Sequence, residues 1–401
     1  MKILVSSLVD LRKSAHNSRL HQFLRCLAHD HDITVLSIND WWKARWDGDG
    51  EKFNEGFGDL FEKIEMHYLT ERRISPILQD ALSLATAGSV LKSINVSDFD
   101  VHFSYNNLLS GYAVAQHTSA HGIPTIYDIA DDLIEMIRTS PQIPPFVRPF
   151  GCMVGSIVVG KNIQNSRKIT VTTESLCATY QIPRNKVELL PNGVDTDMFS
   201  PRPCDHIRSR YGLENCFVAG HVGVLREWLD FRPLFIAIKR LAAAMNIKLL
   251  IVGGGVGYED TVEMAKEIGV LENIVFTGAI PYSQVPEYIS CMDVGIVPFK
   301  PDNVSNNSLP LKLFEYFACE VPVISTYIDT IREIFGNNVL FVSTPEEYSR
   351  MMLLLCQNPD LRKEMGSSGR KIVESSYRWS TLSKNLENIA RSEVQNGLVR
   401  A

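Results

Sequence analysis

The sequence has no Cys-x-x-Cys pair. Its eight cysteines, Cys26, Cys152, Cys177, Cys204, Cys216, Cys291, Cys319 and Cys356, are scattered. Neither a disulfide framework nor a zinc site is signalled, and reduced thiols in a cytoplasmic protein fit best. No apolar run reaches the length of a membrane span. The N-terminal MKILVSSLVDLRKS has too short an apolar segment for a signal peptide and reads as a first strand. There is no long basic run, and the net charge is −6, so nothing points to nucleic acid. Internal repeats of short period and low-complexity tracts are missing as well. The loop after the first strand, SLVDLRKSAHNS, has no glycine, which excludes a Rossmann-type phosphate fingerprint there.

What is present is α/β in pattern. A length of 401 residues argues for two domains, and 45% hydrophobic residues suffice for large cores. The strand at Lys2–Ser6, a helical stretch from about Ser18 to His29 and the strand ITVLS from Ile33 make a β-α-β opening, the mark of a parallel sheet. Strands return as VHFSY and as PTIYDI from Pro124, the latter followed by Asp131 and Asp132. Ligands of open α/β sheets collect at the carboxyl ends of strands, so Asp128, Asp131 and Asp132 are well placed. Asp131 is open between a ligand contact and a helix cap; Asp132 reads as the cap of LIEMI. The second half alternates again: FVAGHVGVL ending at Gly223, KLLIVGGG with Gly253–Gly255, NIVFTG ending at Gly278, and DVGIVPF. The triple glycine lets a backbone approach a ligand closely.

Some features stay open. Arg12, Lys13, His16 and Arg19 crowd the first loop and either meet an anionic acceptor or are solvated. Trp41, Trp42 and Trp46 either stack on sugars or membrane interfaces, or fold over the sheet edge as a small satellite core. The segment IRTSPQIPPFVRPFGCMVGSIVVGK, edged by Arg138, Arg148 and Lys161, fits a membrane surface or a buried helix with its approach loop. Asp47/Asp49 and Asp195/Asp197 have Asp-x-Asp spacing, but on turn-rich segments.

The most informative stretch is NVSNNSLPLKLFEYFACEVPVIST, from Asn303 to Thr326. Pro310 fits the first turn of a helix, and Ser308 or Asn307 suits its cap. Leu311, Leu313, Phe314, Tyr316 and Phe317 leave almost no polar face. Lys312 and Glu315, three apart, share one line along the helix. A cation in the first turn opposes the helix dipole unless an anion binds at the same end. Free amides, a Ser hydroxyl and a Lys then make a phosphate site, with Glu315 one turn on as acceptor for ribose hydroxyls. The competing reading is a surface Lys–Glu pair.

This stretch resembles the donor-site motif of the family 4 retaining glycosyltransferases. Within them it resembles the branch carrying Ser-x-Pro-x-Lys-x-x-Glu-Tyr, here Ser308, Pro310, Lys312, Glu315 and Tyr316. Many members have two glutamates eight apart; Glu315 matches the second, and Asn307 stands at the first. They tend to have glycine at the position of Glu320, so the resemblance implies a helix end without the usual left-handed cap. LPNGVDTDMF, from Leu190, resembles the family's interdomain linker.

The resemblance implies GT-B: two Rossmann-like domains with parallel sheets facing across a cleft. An acceptor-side domain over 1–195 and a donor domain over 196–377 are expected, with the tail 378–401 packing back on the first. It implies a metal-independent, retaining hexosyltransferase-type enzyme with no bound cofactor and no protein nucleophile. A UDP- or GDP-sugar is the expected co-substrate, and a glycan, lipid-linked or small-molecule hydroxyl the acceptor. Lys312 and Arg226 are the expected cations, although relatives carry theirs at the positions of Val224 and Leu229. Asp131 stands near the place of a sugar-contacting histidine. Glu315, Ser308, Leu309, Asn307, Gly223, Gly254 and Gly278 are expected around the nucleotide-sugar. A cytoplasmic protein, peripheral at the inner face of the membrane, is the expected location. The alternatives are a non-hydrolysing nucleotide-sugar 2-epimerase and a catalytically silent nucleotide-sugar-binding partner subunit. His221, two residues before Gly223, either faces the cleft or is a core histidine.

Overall fold

The computed structural model describes residues 1–13, 18–40, 57–140, 143–300 and 307–400. His16, Trp41, Trp42, Trp46 and the Asp47/Asp49 pair lie outside the described residues. The chain forms two compact units, Met1–Pro191 with Trp379–Ala401, and Asn192–Arg378.

The first unit is built on seven strands: β1 (Lys2–Ser7), β2 (Asp32–Ser37), β3 (Ile64–Tyr68), β4 (Val101–Tyr105), β5 (Thr125–Ile129), β6 (Lys168–Val171) and β7 (Val187–Leu189). Their order is β3-β2-β1-β4-β5-β6-β7, and every neighbouring pair is parallel. Parallel strands covered by helices on both faces are apolar along their whole length rather than alternating. Accordingly five of the six residues of β1 are buried, and all five of β4. Helix α1 (Arg19–Leu27) follows β1 and is capped by Ser18, whose hydroxyl accepts the amide of His21. Helices α2 (Leu133–Thr139) and α3 (Arg148–Asn165) lie between β5 and β6.

The second unit has six strands: β8 (Phe217–Val222), β9 (Ile247–Val252), β10 (Ile274–Phe276), β11 (Val294–Val297), β12 (Val323–Thr326) and β13 (Val339–Val342). Their order is β10-β9-β8-β11-β12-β13, again all parallel. Helix α4 (Leu311–Ala318) joins β11 to β12, and α5 (Pro359–Ser376) packs on it. The final helix, α6 (Trp379–Arg400), belongs to the first unit and lies on α1. Trp379 meets Phe23 edge-on with centroids 5.3 Å apart, and Leu382, Leu386 and Ala390 bury the same stripe.

Both sheets reverse their strand order once, between β1 and β4 and between β8 and β11. Such switch points open a crevice at the carboxyl ends of the strands, which is where sheets of this kind bind ligands. Among the described residues no helix is long and apolar enough to cross a membrane.

Candidate functional site

In the second unit three strand ends are stitched together through glycines. Gly223 follows β8 with φ +131°, and its amide donates to Val252 O at 2.9 Å. Gly253 follows β9 with φ +134°, and its amide donates to Gly278 O at 3.0 Å. The Leu225 amide donates to Gly254 O at 2.7 Å. A Cβ at Gly253 would stand 2.1 Å from Gly223 O, and one at Gly255 would stand 2.7 Å from Leu225 O. Close approach of neighbouring backbone by itself requires glycine at these two positions. The result brings Gly223, Gly254 and Gly278 to one floor beside the switch point.

Helix α4 rises next to that floor. Its approach is pinned on both sides: Asn192 Nδ2 donates to Leu309 O at 2.6 Å, and Thr330 Oγ1 donates to Ser308 O at 2.8 Å. Leu309 is buried, and Asn307 is 9% exposed. Pro310 is the N-cap, at φ −70° and ψ 131°, and the helix proper begins at Leu311. This corrects the placement of Pro310 inside the first turn and of Ser308 or Asn307 at the cap position. A capping proline offers no side-chain acceptor, so the capping residue leaves the first-turn amides unpaired by its own side chain.

Lys312 and Glu315 are not a surface pair. Lys312 is half-buried, and Glu315 is 7% exposed. Lys312 Nζ lies 3.1 Å from His221 Nε2 and 5.9 Å from the Phe299 ring centroid. Burial lowers the Lys312 amine to about 7, against an opposing pull from the Glu315 charge. Glu315 Oε1 accepts the Tyr282 hydroxyl at 3.1 Å. Tyr316, fully buried, packs where Gly295 on β11 leaves room, and its hydroxyl accepts the Val222 amide at 2.8 Å. Neither Tyr282 nor Asn192 carries a sequence signal for these contacts.

The carboxyl end of α4 corrects another expectation. Glu320 has φ +59°, so the left-handed residue is present without glycine. Val321 N donates to Tyr316 O and Glu320 N to Phe317 O, both at 3.0 Å. These two bonds make a Schellman end.

The remaining cations and acids divide between the units. Arg226 is half-buried on the loop after β8, with its guanidinium 5.7 Å from the Trp228 ring centroid. Asp195 Oδ1 accepts the amides of Asp197 and Met198, which caps the turn there.

In the first unit, Asp131 Oδ2 accepts Asn106 Nδ2 at 2.9 Å, while Asn106 Oδ1 accepts the amides of Ala130 and Asp131. Asn106 itself sits at φ +49°, a conformation of low population. Burial raises the Asp131 carboxyl above the usual range, partly offset by Asn106. Asp131 is thus held by Asn106, whereas Asp132 caps α2 through the Glu135 amide and accepts the Tyr180 hydroxyl. Asp128 is fully buried and takes Arg19 in a two-toothed pair at 2.8 and 3.0 Å. Arg19 also donates to Pro191 O and is 2% exposed. Both are buried and paired with each other, which corrects the reading of Asp128 as an open ligand group and of Arg19 as a loop cation. Lys13 is tied to Asp10 and Asn39.

Among the described residues no group of three or more His, Cys, Asp or Glu is arranged to hold a metal ion.

Residues 205–372, within the second unit, match the family model "Glycosyl transferases group 1". A GDP-mannose-dependent alpha-(1-6)-phosphatidylinositol monomannoside mannosyltransferase from Mycobacterium tuberculosis is 28% identical over 232 residues, 55% of this chain and 60% of that protein. The chain therefore spans less than two thirds of that relative's length. The N-acetyl-alpha-D-glucosaminyl L-malate synthase of Bacillus anthracis is 20% identical over 341 residues, 82% of this chain and 84% of that protein. Among solved structures, Anabaena Alr3699/HepE in complex with UDP superposes with a TM-score of 0.69 at 15% identity, over 98% of this chain and 100% of that one. At that identity the likeness shows the fold alone: two α/β domains with parallel sheets, of GT-B type. The second unit of this chain thus matches glycosyl transferases group 1, set in a two-domain GT-B chain.

Proposed function

We propose that the protein is a retaining glycosyltransferase of the family 4 type, moving a sugar from a nucleoside diphosphate to a hydroxyl acceptor without a metal ion. The observation that carries the reading is the placement of Lys312 and Glu315 on α4. Lys312 stands against Gly223 at the end of β8, and Glu315 is buried one turn further along the helix. A nucleoside diphosphate laid on the glycine floor would meet the ammonium and the first amides of α4 with its phosphates, and Glu315 with its ribose hydroxyls. The relatives named for GDP-mannose and for an N-acetylglucosaminyl product support a nucleotide-sugar donor.

In the transfer, the bond between the anomeric carbon and the diphosphate oxygen breaks, and the diphosphate leaves with the electron pair. Lys312 and the helix start offset the charge that develops there, which is where fixed charges lower a barrier most. The acceptor oxygen bonds to the same face of the anomeric carbon, and a leaving-phosphate oxygen takes its proton. Arg226 is the second cation of this scheme, and Asp131, held by Asn106, is the acidic residue it assigns to the first unit. Ser308, Leu309, Asn307, Gly223, Gly254 and Gly278 complete the donor site, with domains at 1–195 and 196–377 and the tail 378–401 on the first.

The acceptor in this reading is a glycan or a lipid-linked sugar at the inner face of a membrane. Support comes from the line Phe146, Phe150, Met153 and Ile157, which are 85%, 63%, 54% and 54% exposed. Phe150, Met153 and Ile157 follow one face of α3, and Phe146 stands in the turn just before it; the helix has no acidic residues and carries Arg148 and Lys161 near its two ends.

The test is a thermal-shift panel of UDP, GDP, ADP and CMP with their sugars, followed by transfer assays with and without acceptors. A nucleotide-dependent rise in melting temperature and acceptor-dependent turnover are expected. Turnover of the nucleotide-sugar alone would favour an epimerase, and binding without turnover a silent partner subunit.

A further inference from the structure

Ninety-one residues separate Lys312 from the side chain that holds it. His221 lies on β8 beside the switch point, fully buried, with the Phe231 ring edge-on at 5.1 Å. Its Nδ1 lies 3.1 Å from Ile296 O on β11. A carbonyl oxygen only accepts, so Nδ1 carries the proton and Nε2 presents a lone pair. Nε2 faces Lys312 Nζ at 3.1 Å, so the ammonium donates to it. Burial and the Lys312 charge both keep the ring neutral. Gly223 completes the seat: a Cβ there would stand 2.9 Å from Lys312 Nζ.

The chemistry of the acceptor matters. A carboxylate at this point would fix the lysine and also cancel its charge. A neutral imidazole fixes the direction of the ammonium and leaves the charge available to an anion. Among the described residues, the groups facing Lys312 include His221 from β8, Glu315 from its own helix and the Phe299 ring.

We propose that His221 is a positioning residue for Lys312: it orients the ammonium over Gly223 toward the outer phosphate of a nucleoside diphosphate. The proposal rests on the donor-site reading above. It assigns to a buried core histidine a part in anion recognition, with Ile296 O setting its tautomer.

The experiment reads the affinity for UDP and GDP against UMP and GMP by calorimetry. The ratio of diphosphate to monophosphate affinity isolates the interaction with the outer phosphate, where Lys312 acts. Lys312→Ala lowers that ratio by about tenfold, as expected when one charge-assisted bond is removed. His221→Asn keeps a donor for Ile296 O but does not reach Lys312, and lowers the ratio by a similar factor. His221→Gln places an amide oxygen near the position of Nε2 and holds the ratio within about threefold of the unaltered protein. In the Lys312→Ala background, His221→Asn has no further effect on the ratio, because the two residues act as one unit.

An unchanged ratio in His221→Asn, or a full additional loss in the double variant, overturns the proposal while leaving the donor site in place. If Lys312→Ala leaves the ratio unchanged, or no nucleotide binds, the donor-site reading falls and this proposal falls with it. Should His221→Asn fail to fold, the Gln variant decides. A folded His221→Gln protein with a ratio as low as that of Lys312→Ala contradicts the role.

Discussion

Gly366 on α5 lies against the carbonyl of Glu320 so closely that a Cβ there would stand 1.9 Å from the oxygen. The two positions explain one another. The Schellman end of α4 turns the Glu320 carbonyl toward α5, and only a glycine on α5 accepts it. Gly366→Ala is therefore expected to destabilise the second unit by about 1–3 kcal/mol, the usual range for overpacking. Glu320→Gly should act in the opposite sense. A left-handed non-glycine residue costs roughly 1–2 kcal/mol, and glycine gives back about 0.5–1 kcal/mol of that in chain entropy. The substitution also removes the ion pair between Glu320 and Arg370. That pair is long, at 4.0 Å, and exposed on the Glu320 side, so it weighs little. Denaturant midpoints of the two variants check both signs.

The glycine floor makes a graded prediction. Gly253→Ala drives a Cβ to 2.1 Å from the Gly223 carbonyl, whereas a Cβ at Gly278 meets nothing within 4 Å. Both have positive φ, so both are strained. Only Gly253→Ala displaces the turn that seats Lys312. It should lose nucleotide affinity by at least about tenfold, while Gly278→Ala shows the cost of strain alone, roughly 1–2 kcal/mol of stability. Calorimetry with UDP and GDP, alongside melting curves, separates the two.

Lys312 also predicts a proton. Burial lowers its amine to about 7, and a bound diphosphate would raise it again. At about pH 8 the amine of the free protein is then mostly neutral, and nucleotide binding takes up as much as about one proton. Near pH 6 it is already charged and takes up none. The same sign holds for stability: the folded chain carries fewer protons than the unfolded chain between about pH 7 and 10, so this group adds stability as pH rises through that window. Calorimetry of UDP or GDP binding in buffers of different ionisation enthalpy counts the protons. Lys312→Ala should show no such uptake.

Transfer should persist in a chelator. The proposed site meets the leaving diphosphate with Lys312 and the amides of α4 rather than with a bridging ion. Turnover lost in chelator and restored by magnesium or manganese would contradict this part of the scheme.

Much of the fold was legible because parallel strands announce themselves. VHFSY and KLLIVGGG are short apolar runs between helical stretches, and both became interior strands with nearly every residue buried. The side-chain partners were not legible. Arg19 pairs with Asp128 over 109 positions, Lys312 with His221 over 91 and Tyr282 with Glu315 over 33. No local period encodes such pairings; they appear only when strands from distant segments become neighbours. The left-handed Glu320 was misread for a related reason. Its own propensity argues against that conformation, and the packing of α5 on its carbonyl overrides it. Asp128 looked functional for standing at a strand end and Arg19 for its place among the first-loop cations, and the structure instead buries them as a pair.

The most direct test of the donor site is the affinity of Glu315→Gln for UDP and GDP by calorimetry. Glutamine keeps an oxygen for the Tyr282 hydroxyl, so the fold should hold. It loses the charge that strengthens bonds from ribose hydroxyls, each worth roughly 1.5–3 kcal/mol. The account predicts binding weaker by about tenfold to a hundredfold, with the melting temperature of the free protein little changed. Affinity equal to that of the unaltered protein for whichever nucleotide binds would contradict it and leave α4 as scaffold.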